Sequence, residues 1–379
     1  MTTTKTGEFK QTEIGEIPGD WGVKPFDVAI DKKWAESKGS EAKSAYKTAG
    51  RYPIVDQGHE LIAGYTNDEA KVYKDSIPLI IFGDHTRIFK YIDFPFATGA
   101  DGTKLIKANK EFFDPKFLFY VFKRLNIPNR GYNRHFKILK EQLLPCPSKS
   151  EQKHIADALS KIQKAVENQE RMVSNLRELK AATLSKIFNE GLRGEPLKQS
   201  EIGEIPKSWD VGLFGNFITL QRGYDLPVQS RESGNIPVIG SNGIVGYHKV
   251  GACKGPGVMT GRSGTISLSF YMSNDYWPLN TSLFVSDFHG NNPKFIHYFF
   301  QQFNFKKYSG GVSVPTLNRN LVHSAAIAFP QKDEQAEIGA VLGKLDGSID
   351  GSKKRLADLK ALFASTLNQL MTGKVRISE

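Results

Sequence analysis

The sequence predicts an α+β protein: two tandem-repeated domains separated by an antiparallel coiled coil of two long helices, pseudo-two-fold, with near-circular topology. Three observations carry the prediction. The phrase "QTEIGEIPGDW" at Gln11–Trp21 returns as "QSEIGEIPKSW" at Gln199–Trp209, with eight of eleven residues unchanged 188 positions later. Further paired phrases then follow in the same order in both halves. Finally, one segment in each half steps its apolar residues by four and three, the seam of a coiled coil.

The pairs run as follows. "RYPIVDQGHELIAGY" from Arg51 answers "NIPVIGSNGIVGY" from Asn235, and "FFDPKFLFYVF" from Phe112 answers "GNNPKFIHYFF" from Gly290. "GYNRHF" from Gly131 answers "TLNRNL" from Thr316, and "PSKSEQKHIADAL" from Pro147 answers "PQKDEQAEIGAVL" from Pro330. The offset drifts only from 188 to 183, so a unit of about 185 residues is duplicated in tandem. Short apolar runs such as "SIPLIIF" and "GVMTG", broken by Gly, Pro, Asn and Asp, read as short strands, with a helix after each "PKF". This divides the chain into a lead-in (1–23), a first domain (24–147), a first helix and linker (148–211), a second domain (212–330) and a second helix (331–379).

The first helix carries its seam on Ile155, Leu159, Ile162, Val166, Gln169, Val173 and Leu176. The second uses Ile338, Leu342, Leu345, Ile349, Ser352, Leu356 and Leu359. Gln169 and Ser352 are polar steps that either fix register or mark a wetter crossing. The first domain feeds the start of helix one, and the second domain begins just past its end. Helix two must therefore run back to bury its seam, which makes the pair antiparallel. Its end then lies beside the first "EIGEIP", so each copy of the phrase serves one helix end, one covalently and one across space.

With 24% charged and 39% hydrophobic residues the composition is that of an ordinary soluble protein, and no apolar run is long enough to cross a bilayer. The first residues lack the apolar stretch of a secretory signal, and two cysteines, Cys146 and Cys253, build neither a disulfide framework nor a Cys-based zinc site. A reducing cytoplasm fits. The charge of +11 is compatible with a polyanion partner.

Catalytic motifs fail on inspection. "DPKF" and "NPKF" resemble the Asp/Asn-Pro-Pro-aromatic loop of DNA amino-methyltransferases, but Lys116 and Lys294 replace the second proline. Asp or Asn at an N-cap with Pro at N1 explains them better. "GEPLK" and "TGKV" lack phosphate-loop spacing, and the eight histidines show no metal-ligand spacing.

The duplicated "GEIP..W" lead-ins, the "P....EQ..I" helix entries and the helix ends "LKAATLSKIFNEGLRG" and "LKALFASTLNQLMTG" resemble the specificity subunits of type I restriction-modification systems. The resemblance runs from the first lead-in to about Gly373. It implies two target recognition domains, each reading one half of a split site in double-stranded DNA. It also implies docking of methyltransferase subunits, two by symmetry, with the restriction subunit joining through them. The chain would carry no chemistry and no cofactor, S-adenosylmethionine belonging to the methyltransferase partner, and no membrane. A related type IIB-like specificity subunit, or a coiled-coil scaffold that does not bind DNA, are the competing readings.

Base edges are read by Arg, Lys, Asn and Gln, and phosphates by Lys, Arg and small hydroxyls. Where matched loops differ, specificity is expected. Gln57 and His59 face Ser241 and Asn242; Asp84, His85, Thr86 and Arg87 face Arg262 and Ser263. Arg130, Tyr132 and His135 stand where the second copy has Lys306, Lys307 and Tyr308, and Arg222 and Tyr224 are further candidates. Asn133-Arg134 and Asn318-Arg319 agree between copies and predict a phosphate clamp or a structural turn. Gly339, Gly343, Gly347 and Gly351 recur every four residues, answered in helix one by Ala156 and Ser160. A helix-interior Gly costs about 1 kcal/mol against Ala, so the stripe predicts a smooth outer track for a methyltransferase helix.

Overall fold

The computed structural model describes residues 8–34, 36–99, 102–129, 131, 134–310 and 315–377. Two compact units emerge, one of residues 1–169 with 355–379 and one of residues 170–354. The helices Lys149–Glu190 and Lys332–Met371, 42 and 40 residues long, each contribute to both units.

In the first unit the lead-in is a hairpin, Phe9–Thr12 against Gly15–Pro18. Strand Gly22–Pro25 then pairs with Leu143–Cys146, so the two ends of the domain lie side by side. Between them stand a four-stranded and a three-stranded sheet. The four-stranded order is Gly64–Thr66, Tyr52–Val55, Phe96–Thr98, Val72–Tyr73, with the middle pair parallel. The three-stranded order is Thr103–Ile106, Leu79–Gly83, Phe89–Ile92. Helix Pro115–Arg124 covers the core; Asp114 caps it by accepting the Lys116 and Phe117 N–H groups, both at 2.9 Å.

The second unit repeats the plan. Its hairpin is Leu197–Ser200 against Gly203–Pro206, and Asp210–Leu213 pairs with Ala326–Phe329. Strand Ile236–Gly240 lies between antiparallel Gly243–His248 and parallel Trp277–Pro278. A second sheet runs Thr219–Arg222, Ser282–Asp287, Gly257–Gly261, Ser269–Met272. Asn292 caps helix Pro293–Gln302 as Asp114 caps its counterpart. Both "PKF" segments are thus capped helix starts.

The entry phrase "P....EQ..I" has the same physical meaning in each unit. Gln152, fully buried, accepts the Asp114 N–H (2.7 Å) and donates to the Phe112 and Pro147 carbonyls (2.8 and 3.0 Å). Gln335 accepts the Asn292 N–H (2.9 Å) and donates to Asn291 Oδ1 and the Pro330 carbonyl (2.8 and 3.0 Å). A buried amide with all these partners fixes the long helix to the start of the capped one. Ile155 and Ile338, one turn on, enter the two cores.

Segments of both long helices share each core. Ile155 and Leu159 cluster with Leu367, Leu370 and Met371 in the first unit, and Leu184 and Ile187 with Ile338 and Leu342 in the second. In the second unit Lys180 binds Asp346 (2.6 Å) and Arg193 binds Asp333 (2.7 Å). The first chain segment advances thirteen residues while its partner retreats thirteen, so the two run antiparallel there. Gln169 and Ser352 are both partly exposed.

The repeated "GEIP" completes each unit at a helix end. Gly191 and Gly373 follow the two helices with φ of +73° and +66°, the left-handed stop that favours glycine. A Cβ on Gly191 would stand 3.0 Å from Pro206, and one on Gly373 would stand 2.2 Å from Pro18. In the second unit the chain runs straight from that glycine into the hairpin. In the first unit, glycine and proline come from opposite ends of the sequence.

Candidate nucleic-acid interface

The divergent loops converge in each unit over this common frame. In the first unit the Thr86 hydroxyl donates to the Gln57 carbonyl (2.6 Å), and the His85 N–H donates to Gln57 Oε1 (3.2 Å). The loop before helix Phe136–Lys140 joins them: Asp84 Oδ1 accepts the Phe136 N–H (2.7 Å), and its carbonyl accepts the His135 N–H (3.1 Å). Beneath lies Lys90, almost fully buried, whose ammonium donates to the Asp56 (2.8 Å) and Glu60 carbonyls. Burial pushes its pKa below the ordinary lysine value. Lys90 was missed from sequence because a Lys in an alternating strand reads as a solvent-facing residue.

In the second unit Arg262 Nη1 donates to the Asn280 carbonyl (3.1 Å), and the Asn280 N–H donates to the Tyr224 carbonyl (3.0 Å). Ser263 bridges to Thr316, which sits in the short pair Ser309–Gly310 with Thr316–Leu317 beside Lys306–Tyr308. Ser241 lies next to Gly261: its Cβ is 3.2 Å from where a side chain there would begin. Hydrogen bonds thus tie Arg262, Ser263 and Tyr224 into one group, with Ser241 packed beside it.

Several expectations need correction. Asp84 and His135 are buried, at 2% and 0% exposure, and form an internal brace rather than a reading surface. Thr86, which donates to Gln57, and Arg87, which has φ of +63° and donates from Nη1 to the Ile127 carbonyl (3.0 Å), hold the loop in shape and stay partly exposed. A tight turn of this kind needs side chains to satisfy its own backbone. Asn318 caps helix Arg319–His323 by accepting the Asn320 N–H (3.0 Å), which is the structural-turn alternative for that pair. Tyr308 stacks on Phe303, with centroids 5.5 Å apart.

Exposed and available are His59, Arg134, Arg222, Asn242, Lys306, Lys307 and Arg319; Gln57, His85, Ser241, Arg262 and Ser263 are partly exposed, and Tyr224 shows 40% of its surface. Arg130, Tyr132 and Asn133 lie outside the described residues.

The glycine stripe is also corrected. Gly339 is buried against the start of helix Pro293–Gln302, a Cβ there meeting Lys294 Cβ at 3.3 Å, and Gly343 faces the Tyr298 hydroxyl. Ala156 is buried likewise, and Ser160 accepts the Tyr120 hydroxyl (3.2 Å). These small residues admit the domain's own helix, whose "PKF" start the sequence places far away. Gly347 and Gly351 alone meet open solvent. Among the described residues no cluster of three His, Cys, Asp or Glu is placed to hold a metal, and no helix is long and apolar enough to cross a membrane.

Two copies of one frame carrying different polar loops define a duplicated binding module. The model of the type I restriction modification DNA specificity domain matches residues 27–173 and again 206–361. The chain belongs to the type I restriction-modification specificity-subunit family and holds two such domains in tandem. Two relatives from Methanocaldococcus jannaschii align end to end. The specificity subunit ascribed to the type I restriction enzyme MjaX is 25% identical over 98% of both chains. That of MjaVIII is 22% identical over 100% of this chain and 98% of its own. The crystal structure of the type I restriction-modification S subunit from M. genitalium superposes with a TM-score of 0.67 at 18% identity, covering 97% of this chain and 99% of that one. A chain solved in work on complex assembly and conformational transition of the type I R-M system gives 0.53 at 12% identity, covering 94% and 99%.

Proposed function

We propose that the chain reads a bipartite DNA sequence, one half-site per domain, and itself performs no chemistry. The observation that carries this is the convergence, in both units, of those loops whose sequences differ, over a frame whose strand register, capped helix and buried glutamine at the helix entry recur in both. A frame repeated with different polar loops is what reading two different half-sites requires. The exposed Arg and Lys of these loops, within a chain of charge +11, suit the phosphate backbone.

The long helices, on this reading, pair along their whole length as an antiparallel coiled coil, closing a near-circular, pseudo-two-fold topology and setting the spacer between half-sites. Their unbroken runs and the antiparallel pairing inside the second unit support it. Methyltransferase subunits, two by symmetry, would dock on the helices, where Gly347 and Gly351 remain open, and the restriction subunit would join through them. S-adenosylmethionine would be held by the methyltransferase partner, and the assembly would work in the cytoplasm.

The test is to map methylated positions in DNA modified by the full complex. Exchanging residues 24–147 for another recognition domain should change one half of the motif and leave the other intact. A motif unchanged, or changed in both halves, would refute one-domain-one-half-site reading. Retention of duplex DNA by the complex should also weaken steeply with salt.

A further inference from the structure

In the second unit four large apolar side chains stand in solvent within seven residues: Ile244, Val245, Tyr247 and Val250, at 55, 48, 55 and 57% exposure. Three of them lie on strand Gly243–His248, which with Ile236–Gly240 forms a hairpin turning at Ser241-Asn242. Gly243–His248 is the edge of its sheet. The equivalent strand of the first unit is covered, because Lys47 and Tyr65 exchange backbone hydrogen bonds of 3.0 and 2.9 Å.

A bare apolar edge invites another strand. This one is shaped against that. The register shifts between Val238 and Ile239, and Gly246 has φ of +150°. Arg231 reaches over the edge and donates from Nη1 to the Val245 carbonyl at 3.0 Å, occupying an acceptor that an added strand would need. A side chain at residue 246 would begin 2.7 Å from that guanidinium nitrogen, so the glycine makes room for the brace. What remains is a braced two-stranded ribbon with an aliphatic flank and a polar tip. The tip touches the loop that carries Arg262 and Ser263.

A ribbon of this kind fits the major groove of duplex DNA, and exposed aliphatic groups there recognise the thymine 5-methyl, the only apolar feature of the groove floor. Resting on the DNA reading proposed above, we infer that hairpin Ile236–His248 enters the major groove of the second half-site, and that Ile244 and Val245 contact thymine methyl groups there.

The test uses the complete complex with its methyltransferase subunits. Each thymine of the second half-site is replaced in turn by deoxyuracil, which removes only the methyl group. Binding is compared for the wild-type protein, Ile244→Ser and Val245→Ser. Burial of one methyl predicts a roughly fourfold loss for the wild type at one or two positions. The variants should already be weakened on thymine DNA and lose nothing further at the same positions. The mapped methylation motif should relax at those bases. A second half-site without thymine, wild-type sensitivity retained by both variants, or an equal loss on all duplexes would each overturn the inference. So would variants that change only self-association, which would assign the edge to a second copy. Site-specific methylation by the wild type tests the underlying DNA reading separately. Both side chains are exposed, and an unchanged melting temperature confirms that the variants fold.

Discussion

Lys90 and Phe270 occupy one position in two copies of one frame. Lys90 lies opposite Ile81 and Phe270 opposite Met259, in strand pairs of identical register. Lys90 sends its ammonium up to two carbonyls of the long loop after Val55. In the second copy the loop is a two-residue turn, and the Phe270 ring lies 3.6 Å from where a side chain on Gly243 would begin. The floor of the frame changes with the loop above it. On the proposed DNA reading, loop and brace would carry specificity together, and "VDQGHE" transplanted onto the second domain without its lysine should fail to transfer the first half-site.

The frame itself is braced at the helix entries, and the largest effect should come from there. In the first unit the Trp21 indole donates to Glu151 (3.0 Å), and Arg376 binds both Glu151 (2.9 and 2.7 Å) and Asp20 (2.9 and 2.7 Å). In the second, Glu334 accepts the Leu192 N–H (2.9 Å), while Glu334 Oε2 and Trp209 Nε1 find no partner among the described residues. Removing Glu151 leaves a buried indole N–H and a half-buried guanidinium, so Glu151→Ala should cost about 3–4 kcal/mol. Glu334→Ala should cost about 1–3 kcal/mol, as the Leu192 N–H is left without its acceptor. Denaturant unfolding of the two variants checks the order, and equal costs would make Arg376 irrelevant to closure.

Next comes Lys90→Met, which strands two carbonyls and should cost about 2–3 kcal/mol. Recognition of the first half-site should fall while the second is kept. Phe270→Leu should do the reverse, more weakly.

A third contrast concerns Phe119 and His297, equivalent positions on the capped helices. Burial first, and Lys180 second, hold the His297 pKa down at about 4, below its ordinary 6.5. The unfolded chain then binds the proton more readily. Stability is complete above about pH 6.5, falls as pH drops towards 4, and loses nothing further from this group below that. The loss is about 2–3 kcal/mol, reported by unfolding of the second unit between pH 7 and pH 4. His297→Phe should remove this part, leaving only the slope from carboxylates.

The neighbouring tyrosines give a smaller pair of effects. Tyr298 donates to Asp346 (2.7 Å), itself paired with Lys180, whereas Tyr120 donates to the neutral Ser160. Tyr298→Phe should cost about 1.5–3 kcal/mol and Tyr120→Phe about 0.5–1.5 kcal/mol, by thermal unfolding.

What the sequence could reveal of this follows from how local each signal is. The duplication, the long helices and the capped "PKF" starts were legible because periodicity and capping act within a few residues. The loop pairs were legible because matching "VDQGHE" to "IGSNGI" and "GDHTR" to "GRSGT" relies only on order. Burial of Asp84 and His135 was not, since a polar pair 51 residues apart becomes internal only when the fold joins its ends. The Arg231 brace was hidden for the same reason, and Ile244 and Val245 looked like an ordinary alternating strand until its edge proved bare.

The glycine stripe yields the smallest and most divided effect. At Gly347 and Gly351 a new Cβ meets nothing within 4 Å, so Ala at either position should stabilise the free chain by about 0.5–1 kcal/mol through helix propensity alone. At Gly339 the same gain meets Lys294 Cβ at 3.3 Å and Asn292 Oδ1 at 3.4 Å, and the net change should be near zero. Two glycines thus stand at open positions where folding gains nothing from them. If a methyltransferase helix approaches there, Gly347→Leu with Gly351→Leu should weaken its capture by the folded chain, while the Ala variants bind nearly as wild type. Undiminished capture by the Leu pair would remove docking as the reason the open glycines are kept.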